Sequence, residues 1–257
     1  MRFCRQQLNI AFTLLELVVV IAIISILAAF LFPIFGSTKQ RSNQTISLNN
    51  LKQWGVALNR SLGDNNGLMP SDGQGSSSIK LYDTNAWFNR LPPYIDEKPL
   101  SDPYYVTNPP KPGNRSVWIN PAVPKDDGMQ YVKPPQKFLF CYSMNYFLSN
   151  SAEPTQPISR IEYTSTTVFM AEKNDDFANC NPKYIKAYFG SDAPGAAETD
   201  KNNAAHFLFC DGHVELIKRA IFDPNFSPNT NDNPSSINTT NINTHFTFIP
   251  YPGAKSS

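Results

Sequence analysis

The stretch IAFTLLELVVVIAIISILAAFLFPIFG, residues 10–36, holds a single carboxylate, Glu16, close to the start of an otherwise apolar run. From Leu17 to Phe35 the only polar side chain is Ser25. Roughly twenty such residues at ~1.5 Å each cross the hydrocarbon core of a bilayer as a helix. The run therefore predicts a transmembrane span over about residues 12–35. Ahead of it, MRFCRQQLNIA carries Arg2 and Arg5 and no acidic side chain, which favours a cytoplasmic N-terminus. An ordinary secretory signal fits poorly. Such signals have apolar cores of ~7–15 residues and end in small residues spaced A-x-A, whereas Ile26 and Leu27 precede Ala28 and Ala29 here. A plain anchor leaves Glu16 unexplained, because a carboxylate in hydrocarbon is costly.

The segment Ala11-Phe12-Thr13-Leu14-Leu15-Glu16-Leu17 resembles the processing site of type IV prepilins and type II secretion pseudopilins. The resemblance implies that residues 1–11 are a leader. It implies a cut between Ala11 and Phe12 by a prepilin peptidase, which also methylates the new Phe12 amino group. Glu16 then takes the position where the family carries its carboxylate, and Pro33 stands where the family commonly has a helix proline. Ala11 replaces the usual glycine before the cut and keeps the side chain small. Cleavage leaves a positive amino group on Phe12, and the Glu16 of a stacked neighbour meets it. The attraction of opposite charges a few ångströms apart at moderate dielectric is of the same size as the insertion cost. Phe12 and Glu16 are thus the expected assembly residues. The implied partners are the peptidase/methyltransferase, other pilin-like subunits of the same or another kind, and an inner-membrane assembly platform.

Beyond Pro33, where the missing amide hydrogen predicts a bend, the helical pattern continues. Ile46, Leu51, Trp54, Leu58 and Leu62 form one apolar stripe, with Lys52, Gln53 and Arg60 elsewhere. Gly63-Asp64-Asn65-Asn66-Gly67 is a strong stop. A long helix over residues 12–62 is expected, its second half lying on a globular domain of residues 63–222. Asn50 to Leu58, followed by Asp64 to Gly67 and Pro70, resembles a pseudopilin-like subfamily whose domain ends in a His-x(9)-Asp-Gly signature. Asp211-Gly212 supplies the end of that signature, but Lys201 stands where its histidine belongs, and His206 falls inside the spacer.

The fold class expected is α+β and pilin-like, a long N-terminal helix packed on a small antiparallel sheet. Eleven of the 22 prolines lie between Pro92 and Pro135, marking a loop-rich surface segment over residues 92–135. Strands are expected within Phe138–Leu148, Thr166–Ala171, Tyr184–Phe189 and Phe207–Ile217. In the last, Asp211-Gly212 reads as a two-residue hairpin turn. That turn sets Phe209 against Val214 and Phe207 against Leu216 on a core face, and it leaves His206, Leu208, Cys210, His213 and Glu215 opposite. His206 and Cys210 are ~13–14 Å apart on one strand, too far to share a metal. Residues 223–257, rich in Asn, Thr, Ser and Pro, read as a tail, with Phe246, Phe248 and Tyr251 as a candidate last strand.

Lys and Arg total 22 against 21 for Asp and Glu, so nothing in the charge points to nucleic acid. Cys141, Cys180 and Cys210 allow at most one internal disulfide, with the pairing open. No phosphate loop, zinc-protease or nucleophile-elbow motif is present. Asp and Asn near 64–72, 175–176 and 192–202 suit either calcium or simple turns. The expected function is a structural filament subunit with no enzymatic activity and no cofactor, in a type IV pilus or a type II secretion-like fibre. It is inserted in the inner membrane with the C-terminal domain periplasmic. The alternative is a single-pass envelope domain that binds ligand and never polymerises.

Overall fold

The computed structural model describes residues 13–74, 79–110, 116–121, 140–149, 155–175, 179–180 and 204–218, with the side chains of 30–37, 40, 106, 173–175, 179–180, 204 and 218 excepted. The Ala11–Phe12 junction, the Tyr184–Phe189 run, Lys201 and the 223–257 tail lie outside those residues. The chain divides into two compact units, Met1–Arg41 and Ser42–Ser257.

Helix α1 spans Leu14–Asp64 and continues through Pro33. It ends at the glycine- and asparagine-rich stop. Asn66 and Gly67 turn left-handed, with φ of 53° and 74°, and the Gly67 amide donates to the Leu62 carbonyl at 2.8 Å. That closure satisfies a terminal carbonyl in a conformation Gly and Asn adopt cheaply. Leu51, Trp54, Ala57, Leu58 and Leu62 are buried along the helix. Ile46 is not part of that stripe: it is 41 % exposed, and Ser47 and Asn50 take the inward positions instead.

The core gathers around Trp54. Its ring meets Trp87 edge-on at 5.5 Å and Trp118 at 5.0 Å, and its indole N–H donates to the Val117 carbonyl at 3.3 Å. Trp87 lies on the short helix α2, Trp87–Arg90. Trp118 comes from the proline-rich segment, so the surface assignment of residues 92–135 is corrected. Leu100, Tyr105, Val117, Trp118 and Ile119 of that segment are all buried. Prolines there set backbone turns and the short helix α3, Pro103–Thr107; they say nothing about where the intervening aromatics point.

The sheet comprises β1 Phe140–Asn145, β2 Val168–Asp175, β3 Asn179–Cys180, β4 Ala204–Phe209 and β5 Val214–Lys218, in the order β3-β1-β2-β4-β5. Four strands pair antiparallel, and the two-residue β3 adds parallel to β1. Register places Tyr142, Met144, Met170, Glu172, His206 and Leu208 on one face. That face meets α1. A Cβ on Gly55 of α1 would sit 3.0 Å from Leu208 Cδ1 and 3.1 Å from the Gly212 carbonyl. Ser143, Ala171, Phe207 and Phe209 point the other way and are equally buried. Burial on both faces explains why β4 reads Ala-Ala-His-Phe-Leu-Phe, without alternation.

The hairpin register differs by one from the two-residue expectation. Val214 pairs with Leu208 and Leu216 with His206, so both lie on the α1-facing side and not with Phe207 and Phe209. The loop holds three residues, Cys210 to Gly212: the Phe209 amide donates to His213 O at 2.9 Å, and the Gly212 amide to Phe209 O at 3.0 Å. Cys210 is drawn into the turn because its amide donates to Thr167 O at 2.9 Å. Gly212 has φ of 94°, the left-handed position such three-residue hairpins reserve for glycine. Gly212→Ala is expected to cost about 1–2 kcal/mol from that backbone alone, read as a lower denaturant midpoint at unchanged slope.

Candidate functional site

The apolar helix begins with a reciprocal cap. The Thr13 carbonyl accepts from the Leu17 amide at 3.2 Å, the first bond of α1. The Glu16 amide donates to Thr13 Oγ1 at 3.3 Å. In return the Thr13 amide and hydroxyl both donate to Glu16 Oε2, at 2.9 and 2.7 Å. This is the capping box that Thr-x-x-Glu spells; its signal lay in the residues and was not read there. Oε1 has no partner among the described residues.

From Leu17 to Ala29 the helix has no polar face. Leu17, Val18, Val19, Val20 and Ile21 are all exposed in turn, as are Ile23, Ile24, Ile26 and Leu27. Ser25 does not interrupt this, because its hydroxyl donates back to the Ile21 carbonyl at 2.7 Å and is thereby satisfied within the helix. A helix apolar all round requires an apolar surrounding. Among the described residues no helix is long and apolar enough to cross a membrane. The described apolar side chains, Leu14 to Ala29, cover about 24 Å against ~30 Å of hydrocarbon.

Residues 9–32 match the family model of the prokaryotic N-terminal methylation motif. The chain is prepilin-like in its N-terminal segment. Neither a curated protein nor a solved structure matches it. The matched residues cover both sides of the Ala11–Phe12 junction, the capping box and most of the apolar run.

The signature hairpin has a different task. Asp211 Oδ1 accepts from the His213 amide at 3.1 Å and lies 2.6 Å from His213 Nδ1. The His213 ring stacks on Phe209 at 4.3 Å, with 3° between planes. His213 therefore opposes Phe209, and Cys210, which a two-residue turn would set across from His213, lies in the loop instead. Gly212 lies against α1, where a Cβ would come within 2.7 Å of Asn59 Nδ2. Among the described residues no three His, Cys, Asp or Glu side chains are placed to hold a metal. Of the stretches considered for calcium, 64–72 forms the turn after α1. There the buried Asp72 accepts from the Gln74 amide at 3.1 Å.

A second constellation went unread in the sequence. Glu172 is 2 % exposed beneath α1. It accepts from Ser47 Oγ of the helix, from the His206 amide at 2.8 Å and from Asn120 Nδ2 at 3.4 Å. His206 Nδ1 lies 3.0 Å from Glu172 Oε1. Every partner can donate, which is what a carboxylate meets and an amide does not. Because Ser47 gives its proton to Glu172, Tyr142 OH donates to Ser47 Oγ at 2.9 Å, and Asn50 Nδ2 donates to Tyr142 OH at 3.2 Å. The chain of donors thus runs from Asn50 through Tyr142 and Ser47 to Glu172. Burial, and then the Glu172 charge, hold the Tyr142 phenol well above its ordinary range.

Cys141 and Cys210 are buried free thiols. Burial pushes Cys141 up to about 12, and raises Cys210 as well, with Asp211 adding to the effect. A thiol at that value has on the order of a thousandfold less thiolate near pH 8 than a free cysteine. Both are expected to resist iodoacetamide in the native chain and to label fully in denaturant, as read by peptide mass spectrometry.

Proposed function

We propose that the chain is a structural subunit, pilin-like or pseudopilin, that is cut between Ala11 and Phe12, methylated on Phe12 and recruited into a type IV pilus or type II secretion-like filament. Before assembly α1 anchors it in the inner membrane, with the N-terminus cytoplasmic and the C-terminal domain outside. The observation that carries this reading is the match to the methylation motif over residues 9–32. It is supported by the first turns of α1, whose apolar residues lie on all sides and whose one acid there, Glu16, sits in the first turn. Bilayer and filament core both provide the surrounding such a helix needs. The chain makes or breaks no bond in this role; it binds other subunits, and no cofactor is required.

Mass spectrometry of the mature N-terminus tests the processing step. In cells that contain the processing enzyme, N-methyl-Phe12 is the expected result. An intact Met1 there would overturn the subunit reading and leave a membrane-tethered envelope domain.

A further inference from the structure

We propose that Ser47 and Asn50 of α1, with Tyr142 and Glu172 of the sheet, form a register key that selects one axial position of the helix on the sheet. The inward residues of α1 are Ser47, Asn50, Leu51, Trp54, Gly55, Ala57, Leu58, Ser61 and Leu62. Their spacing repeats nearly every turn. A slide by four residues, about 6 Å, brings Leu51 to the place of Ser47, Trp54 to that of Asn50 and Leu58 to that of Trp54. Leu62 then replaces Leu58. The slide also sets Gly55 in the place of Leu51 and Asn59 in that of Gly55, so packing opposes it as well; the polar pair adds a penalty of a different kind, the stranding of buried polar groups. After the slide Leu51 faces Glu172, which loses the Ser47 donor, while Tyr142 loses its partners on the helix, Ser47 and Asn50. A buried polar group stripped of partners is disfavoured far more than a made bond is favoured.

Buried polar residues that specify register at no gain in stability are known from coiled coils. The geometry here has the same logic. Both helix residues are at most 6 % exposed. Asn50 also donates to the Ile119 carbonyl at 3.0 Å and the Ser116 carbonyl at 3.3 Å, so the key engages sheet and loop together. Gly55 against Gly212 and Trp54 among the other indoles favour the same position, and the test separates their contribution from that of the key.

The chain has three tryptophans, and all three meet in one cluster around Trp54. Fluorine NMR of the full-length chain, labelled with 5-fluorotryptophan in detergent micelles, reads helix position without added probes. The native chain is expected to give three sharp lines, one per tryptophan. The apolar variant Ser47→Ala/Tyr142→Phe/Glu172→Leu/His206→Leu is expected to give extra or exchange-broadened lines while retaining its helix content. Three sharp lines near the native shifts in that folded variant would overturn the proposal, because Trp54 and Gly55 would then suffice. Should the fourfold variant fail to fold, Ser47→Ala/Asn50→Ala removes the helix half alone. Extra lines there support the key, and an unchanged spectrum overturns it.

Discussion

Glu16→Gln is expected to leave the chain inserted and cleaved yet to lower its incorporation into filaments by up to about a thousandfold, the effect of losing one charge pair ~4 Å apart at moderate dielectric. The amide matters because it separates two tasks of one side chain. Glutamine at the third helical position still closes a capping box with Thr13, so the helix start is kept and only the charge is removed. Thr13→Ala makes the converse change: it deletes the hydroxyl that bonds Glu16 Oε2 and leaves the carboxylate. It is expected to retain most incorporation. Glu16→Ala removes both and is expected to match the glutamine variant. Quantifying mutant subunits in sheared filaments against a membrane fraction checks all three. If Glu16→Gln assembles normally, the carboxylate serves the cap and not a neighbouring amine.

Glu172→Gln is expected to be the most damaging isosteric change in the compact unit. The carboxylate accepts at both oxygens: Oε2 from the His206 amide, Oε1 from Ser47 and Asn120, with His206 Nδ1 beside it. Whichever oxygen becomes an amide nitrogen then faces a donor. Hydrogen bonds to a charged group contribute about 1.5–3 kcal/mol, and breaking one side of a buried pair costs about 3–5 kcal/mol. Against a typical domain stability of about 5–15 kcal/mol, a loss of roughly 3 kcal/mol or more is expected. Urea unfolding followed by tryptophan fluorescence reads it as a lower midpoint with an unchanged slope. A midpoint within error of the native chain would mean that the donor directions inferred for Ser47 and Tyr142 are wrong.

The parts of this fold legible in the sequence were those with local causes. The apolar run, its lone acid, the Gly63–Gly67 stop and the apolar strands depend on neighbours a few residues away. What escaped depends on distant partners. Ser47 went unread, because Glu172, its acceptor, is 125 positions away in sequence. Trp118 read as a surface aromatic, because proline density reports backbone shape and not burial. The hairpin slipped by one residue because the Thr167 carbonyl, outside the hairpin, takes the Cys210 amide. His206 is the instructive case. It was weighed against Cys210 on its own strand, while its partner Glu172 sits on the adjacent strand.

The division of the chain at Arg41–Ser42 falls inside α1, not at its end. A soluble fragment trimmed to begin after Asp64 would therefore uncover Met144, Met170 and Leu208 together with the acid beneath them, and a sheet so stripped invites self-association through its bared face. Trimming at Ser42 keeps the lid on that face while discarding the greasy half. Expression of the two fragments side by side should yield a monodisperse product from the longer and inclusion bodies from the shorter.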